Sequence, residues 1–154
     1  MFNTSKVTDE RWMRLALEQA KQAESEGEVP VGAVVMIDEK IIGQGRNQSL
    51  GFHDSSAHAE IMAMRQAGKT LSNYRLPGST LYVTLEPCMM CAGAILHARI
   101  ERVVFGTRDE KTGAVGSIAN LLENPLANHR CRVTADILSE QSRLLLANFF
   151  QQRR

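Results

Sequence analysis

Two short motifs, whose first predicted ligands are thirty positions apart, constrain this chain more than any other feature. The first is His58-Ala59-Glu60, and the second is Pro87-Cys88-Met89-Met90-Cys91. An imidazole and two thiolates are ligands that zinc prefers, and a site with three protein ligands keeps its fourth position for water. The fold must therefore bring both motifs to one point, and the pattern predicts a catalytic metal site made of His58, Cys88 and Cys91.

A fourth protein ligand would make such a site structural rather than catalytic. His97 lies six residues beyond Cys91, so on a helix it would point away from the two cysteines. Cys131 is far downstream, without a partner at the spacing of a second zinc knuckle, and we interpret it as an ordinary half-buried residue. The sequence therefore predicts three protein ligands.

Glu60 is the candidate proton shuttle. Zinc lowers the pKa of a bound water from about 15.7 to about 7, provided that a nearby base takes the proton. A helix that begins at Cys88 would help to keep the thiolates deprotonated. Because His58 and Glu60 are two residues apart, they can reach one metal only if the first turn of their helix points into the site.

Other interpretations of the cysteine pair stay open at this point. Cys-x-x-Cys also marks thioredoxin-like redox sites and structural zinc clips. The upstream histidine and Met89-Met90 between the cysteines favour metal binding over redox chemistry. A zinc-stabilised interaction module would require four protein ligands, and Glu60 would then be an ordinary solvated carboxylate.

Helical and strand patterns alternate along the chain. The predicted strands are 31–37, 40–46, 80–84, 102–107 and 132–135, and the predicted helices are 8–26, 57–66, 88–98, 117–122 and 139–151. We expect a loop at 47–56 and a central position for the first strand. The alternation predicts an α/β fold, a three-layer α/β/α sandwich around a five-stranded mixed sheet. At 154 residues, 44% of them hydrophobic, the chain fits a single domain over 1–154.

Charge and hydropathy narrow the class of protein. No stretch approaches the roughly 18 apolar residues of a membrane span, and no cleavable leader is recognisable, so we expect a cytoplasmic protein with reduced cysteines. The formal net charge is only +1, which argues against a strongly electrostatic nucleic-acid binder. Residues 1–96 hold nine Lys/Arg and eleven Asp/Glu, whereas residues 97–154 hold nine and six. The positive charge is thus concentrated late in the chain.

Two segments allow more than one interpretation from pattern alone. The helix 88–98 is apolar on nearly every side, so it must lie in the core or at a subunit interface. The segment 141–154 carries no acid, but it does carry Arg143, Arg153, Arg154 and the pair Phe149-Phe150. It is either a solvated helix end with two core phenylalanines or a surface that packs against nucleic acid.

Longer stretches resemble the bacterial tRNA-specific adenosine deaminases. Histidine-x-glutamate followed by Pro-Cys-x-x-Cys is the signature of the zinc nucleobase deaminases. The similarity runs over nearly the whole chain and is carried by residues 30–34, 57–63, 73–76, 81–88, 91–94, 104–106 and 111–113.

The resemblance implies a cytidine deaminase-like fold, one zinc ion per subunit and a homodimer. It implies hydrolytic deamination of adenosine to inosine at the wobble position of a tRNA anticodon, with Glu60 as general base and then general acid. The C-terminal helix would lie against the anticodon stem. Substrate contacts are expected from Asn47, Ala59, Leu85, Asp109, Lys111, Phe150 and Arg153.

The same motif also serves deaminases of free bases and nucleosides, of guanine or cytosine type. Metal chemistry alone does not separate these from an RNA deaminase. Without the resemblance, Asn47 would be an ordinary turn residue, and Asp109 and Lys111 would belong to a solvated turn.

Overall fold

The computed structural model describes residues 4–153, so the predicted basic residue Arg154 lies outside the described residues. Five strands form one mixed sheet in the order β2-β1-β3-β4-β5. They are β1 (Gly32–Ile37), β2 (Lys40–Arg46), β3 (Thr80–Leu85), β4 (Arg102–Thr107) and β5 (Arg132–Thr134). β1 is antiparallel to β2 and to β3, whereas β3, β4 and β5 are parallel. β3 is therefore the central strand, and β1 is its neighbour rather than the centre.

Helices cover both faces of the sheet. They are α1 (Thr4–Ser25), α2 (Ser49–Phe52), α3 (Ala59–Leu71), α4 (Met89–Ala98) and α5 (Ser139–Gln151). α3 and α4 bury their apolar residues with Val83 and Phe105 on one face. α1 packs with Tyr82 and Val104 on the other face, where it also contacts α5. The structure thus confirms the predicted three-layer sandwich and mixed sheet.

The predicted bounds of β2, β4 and α5 agree with the structure. α3 continues to Leu71, beyond the predicted end at 66, because Gly68 is accommodated inside the helix and the chain turns only at Ser72, in the left-handed region with φ 51°. The predicted loop at 47–56 contains α2. β5 ends one residue early, at Thr134.

The predicted helix at 117–122 was wrong. These residues form turns and an isolated bridge between Val115 and Asn120. Gly116 has φ 132°, outside the helical region, and the N–H and hydroxyl of Ser117 donate to the carboxylate of Glu86. A tertiary contact therefore replaces the local helical hydrogen bonds.

β2 and α3 approach unusually closely, and this contact positions the functional site. A side chain at Gly45 would place its Cβ 2.5 Å from the nitrogen of Ala63 and 2.6 Å from the carbonyl oxygen of Ala59. Only glycine permits this spacing, so the first turn of α3 is fixed directly on the sheet.

Within residues 4–153, no helix combines the length and apolar character that crossing a membrane requires.

Candidate active site

The first turn of α3 brings His58 and Glu60 together. His58 is the residue before the helix and has an extended backbone, with φ −76° and ψ 155°. The side-chain oxygen of Asn47 accepts a hydrogen bond from the N–H of Ala59 at 2.8 Å, which satisfies one of the unpaired donors at the helix start. Because His58 precedes the helix and Glu60 belongs to its first turn, the two side chains share one site despite their two-residue offset.

α4 places the two cysteines in the same way. Cys88 is the residue before the helix and has an extended backbone, whereas Cys91 is buried in the first turn. The chain arrives there directly from the end of β3 at Leu85, through Glu86 and Pro87. The starts of α3 and α4 therefore meet beside the carboxyl end of the central strand, a common position for sites in α/β sheets.

The three predicted ligands have the spacing of a zinc site. Nδ1 of His58 lies 3.6 Å from Sγ of Cys88 and 3.5 Å from Sγ of Cys91, and all three atoms lie within 4.8 Å of one another. Tetrahedral zinc with ordinary Zn–N and Zn–S bond lengths requires an N···S separation of about 3.6 Å. The donor set therefore fits zinc in both chemistry and geometry.

Neither alternative fourth ligand joins this group. His97 is exposed near the end of α4, and Cys131 lies beside β5 with only 2% of its surface exposed. Cys131 is thus fully buried rather than half-buried, and burial raises the pKa of its thiol to about 12. Among residues 4–153, the metal-ligating group consists of His58, Cys88 and Cys91.

The four site residues perturb one another's protonation. The hydrogen bond from the Cys91 thiol lowers the pKa of Cys88 to about 4, against the effect of burial. The same bond, together with burial, raises the pKa of Cys91. The pKa of His58 is raised by its hydrogen bond to Cys88. Burial raises the pKa of Glu60 to about 7, although the neighbouring His58 opposes this shift. The raised pKa values of His58 and Cys91 mean that these two ligands retain protons in the absence of a metal, and a bound metal ion would displace those protons.

A cleft of about 970 Å³ lies between the loop after β4 and α5. It reaches Leu85, at the end of β3 that leads to Cys88. Five of the predicted substrate residues line it, namely Leu85, Asp109, Lys111, Phe150 and Arg153. The remaining two, Asn47 and Ala59, do not line this cleft. Ala59 is fully buried and its N–H is bonded to Asn47, which leaves the Nδ2 group and one lone pair of Oδ1 of Asn47 for a substrate contact.

The structure also gives Asp109 a local partner set. Its carboxylate accepts hydrogen bonds from the N–H groups of Lys111 and Thr112, both at 3.1 Å, and from the Thr112 hydroxyl at 2.7 Å. Asp109 therefore shapes its own turn, whatever contact it makes with a substrate.

Two buried acids near the site were missed by the sequence reasoning. Glu28 accepts hydrogen bonds from the N–H groups of Leu50 and Gly51 at the start of α2. Glu86 is buried between β3 and Cys88. The only local signal was an acid beside an apolar strand, which is too weak to indicate a role.

Comparison with known proteins identifies the family. The family model of the MafB19-like deaminases matches residues 7–154. A tRNA-specific adenosine deaminase of Haemophilus influenzae is 54% identical over 147 residues, covering 95% of this chain and 85% of that protein. The chain belongs to the tRNA-specific adenosine deaminase family. A member from Bacillus subtilis is 45% identical, with 95% of this chain and 91% of that protein covered.

Two solved structures share the fold of this chain, and the first of them is also a tRNA adenosine deaminase. One comes from studies of A-to-I editing by tRNA:A34 deaminases at the wobble position of transfer RNA. It matches with a TM-score of 0.85 and 42% identity, covering 88% of this chain and 99% of that one. A guanine deaminase from Nitrosomonas europaea matches with a TM-score of 0.77 and 25% identity, covering 91% and 83%. The expected deaminase fold is confirmed, and this member of the tRNA-specific adenosine deaminase family is a deaminase.

Proposed function

We propose that this protein deaminates adenosine to inosine in tRNA, at the wobble position of the anticodon, with one zinc ion per subunit held by His58, Cys88 and Cys91. The observation that carries the proposal is the grouping of these three ligands at the starts of α3 and α4, close along the chain to Leu85, which lines an open cleft that also carries four cationic side chains. The activity would reside in a single domain over 1–154. A tRNA substrate implies a cytoplasmic enzyme.

The ligand set determines what each residue would do. When bound, zinc supplies the Lewis acidity that makes water a nucleophile at neutral pH. Water adds to C6 of adenine while the Glu60 carboxylate takes its proton. Glu60 delivers that proton to ring N1 and then moves the second proton of the water to the exocyclic amine, which leaves as ammonia. Glu60 suits this task because it is buried beside the ligands, where its carboxylate is shielded from bulk water.

The cleft has the chemistry that single-stranded RNA requires. Arg108 and Lys111 line one wall, and Arg143 and Arg153 line the other. Cations can neutralise phosphates, and an exposed aromatic ring can stack on a splayed base. Phe150 has 49% of its surface exposed on the cleft. Asp109 and Glu110 line the same cleft, so its four cations exceed its two acids although the whole chain is nearly neutral.

Arginines on both walls already have neighbours. On the β4 side, the guanidinium of Arg108 lies 4.0 Å from the carboxylate of Asp136. Arg143 is paired with Glu140 on the same helix, and Arg153 lies over the ring of Phe149, with its guanidinium 3.6 Å from the ring centroid. Phe149 is buried. Of the two phenylalanines, Phe149 therefore belongs to the core and holds Arg153 at the cleft, while Phe150 would meet the RNA.

The proposed homodimer is supported by the apolar surface of α4. In the monomer, α4 buries Cys91, Ala92 and Ile95, but Met89 and Met90 are exposed. Beside them, α3 and α4 form an apolar groove of about 440 Å³. A second copy would cover this surface. Sedimentation should give a dimer, whereas Met90→Glu should shift the equilibrium toward the monomer.

A second candidate function is deamination of a free base, because the chain resembles a guanine deaminase in structure. The open cleft favours RNA, because a free base requires a pocket that loops close around it. A structural zinc module would require four protein ligands, and the described residues group only three.

The deciding experiment uses zinc-loaded protein and two kinds of substrate. One is an anticodon stem-loop RNA with adenosine at the wobble position; the other is a panel of free adenine, guanine, cytosine and their nucleosides. Inosine in the stem-loop alone is the expected result. A matched stem-loop with its only adenosine moved into the duplex should remain unchanged. Turnover of a free base without turnover of RNA would contradict the proposed substrate.

A further inference from the structure

Glu86 makes an unusual set of contacts for a residue outside the ligand group. It lies between β3 and Cys88, and only 2% of its surface is exposed. One carboxylate oxygen accepts the N–H of Asp109 at 3.0 Å and the hydroxyl of Ser117. The other accepts the N–H groups of Val115 and Ser117, at 3.0 and 3.1 Å. All four donors belong to one segment, 109–117.

This segment begins as a wall of the cleft and returns beside the zinc-ligating cysteines. Residues 107–112 line the cleft. The N–H of Ala114 donates to the carbonyl oxygen of Pro87 at 2.8 Å, and Gly113 forms an antiparallel bridge with Cys88. A Cβ at Gly113 would lie 2.3 Å from the carboxyl carbon of Glu86. The loop therefore closes directly onto the carboxylate, and only glycine allows it to do so.

A chain of hydrogen bonds connects Glu86 to Lys111, whose side chain lines the cleft. Glu86 holds the backbone N–H of Asp109, and the Asp109 side chain in turn accepts the N–H groups of Lys111 and Thr112. Lys111 is exposed and lines the cleft. Its backbone position thus depends on a buried carboxylate that it does not touch.

We propose that Glu86 is a positioning residue for the substrate, because its buried carboxylate holds the 109–117 loop in the conformation that presents Lys111 to the RNA. The identity of that substrate rests on the proposed function, whereas the holding of the loop concerns the protein alone. Glu86 touches neither the ligand set nor the substrate in this scheme. Its effect is transmitted through the loop.

Glu86→Gln is the sharpest test, since it preserves shape and removes one acceptor. If the amide group replaces the oxygen that faces Val115, it meets two backbone N–H groups. If it replaces the other oxygen, it can donate to the Ser117 hydroxyl and leaves only the N–H of Asp109 without a partner. The second arrangement has the smaller penalty, because a buried unpaired donor is costly. The variant should therefore release the Asp109 turn selectively.

Two measurements follow on zinc-loaded protein. Amide hydrogen exchange at Asp109, Lys111 and Thr112 should be faster in the variant than in the wild type. With the stem-loop RNA, KM should rise about tenfold while kcat stays within about threefold, the pattern of lost binding contacts. Zinc content should stay at one per chain. Glu18→Gln is the charge control, because Glu18 is exposed on α1 and pairs only with Lys21 in the described residues, at 3.6 Å; it should change none of these quantities.

Gly113→Ala tests the same contact from the other side, since its added methyl group pushes the loop off an intact Glu86. It should reproduce the faster exchange and the higher KM. Unchanged exchange or unchanged KM in folded Glu86→Gln would overturn the proposal, as would loss of zinc with a proportional loss of kcat. If Glu86→Gln does not fold, Gly113→Ala decides by the same criteria. If the wild-type protein does not deaminate the stem-loop RNA, the proposed function and the RNA part of this inference both fail. Hydrogen exchange still decides in that case whether Glu86 holds the loop.

Discussion

A buried ion pair between α1 and the sheet permits a quantitative prediction about stability. Asp9 has 2% of its surface exposed, and its carboxylate accepts two hydrogen bonds from Arg102, at 2.9 and 2.7 Å. The hydroxyl of Tyr82 donates to the same carboxylate at 3.0 Å. Asp9→Asn keeps the shape of the side chain but leaves the guanidinium without its anion.

The expected loss follows from the geometry. Removing one partner of a buried, hydrogen-bonded pair costs about 3–5 kcal/mol, mainly because the other charge stays desolvated. Since 19% of the Arg102 side chain is exposed, water relieves part of that penalty, and we expect a loss of about 3 kcal/mol in the free energy of unfolding. For a chain of this size the loss corresponds to a fall in Tm of about 6–12 °C.

Urea unfolding at constant zinc occupancy is the appropriate assay. Glu101→Gln is the control, because its pair with Arg132 at 3.2 Å is exposed on both sides; it should cost less than about 1 kcal/mol. At temperatures where both variants are folded, kcat should be unchanged, since Asp9 lies on the α1 face and the ligand group lies at the starts of α3 and α4. A loss for Asp9→Asn no larger than that for Glu101→Gln would refute the reasoning.

Three further predictions concern the site and the third cysteine. Glu60→Ala should retain zinc but lose about 10²–10⁴-fold or more in kcat, since a general base is removed; substantial activity in a zinc-loaded sample would contradict the assigned role. Cys88→Ala should lose zinc, as measured by metal analysis, and should lose activity with it. An active variant with full zinc would contradict the role of Cys88 as a ligand. In zinc-stripped native protein at pH 8, iodoacetamide should modify Cys88 well before Cys131, because burial raises the pKa of Cys131 to about 12 and so suppresses its thiolate; equal labelling rates before unfolding would contradict this.

The sequence by itself determined the parts of this protein that depend on local pattern. The spacing of His58 and Glu60 with the cysteine pair predicted which side chains meet, and the structure groups the three ligands at zinc spacing. β4 had the predicted bounds because its apolar run lies between Arg102 and Arg108. β2 begins where predicted because Asp38 and Glu39 form the tight turn before it, both with positive φ. The predicted sheet and sandwich followed from the alternation of these patterns.

Only the tertiary structure decided which groups hold the loops around the site. Glu86 bonds residues that are 23 to 31 positions away along the chain, and the same bonds prevented the helix predicted at 117–122. The structure also separated Phe149, in the core, from Phe150, on the cleft. Periodicity reports which residues face a core, but it carries no information about hydrogen bonds between a side chain and the backbone of a distant loop, and these bonds shape the cleft.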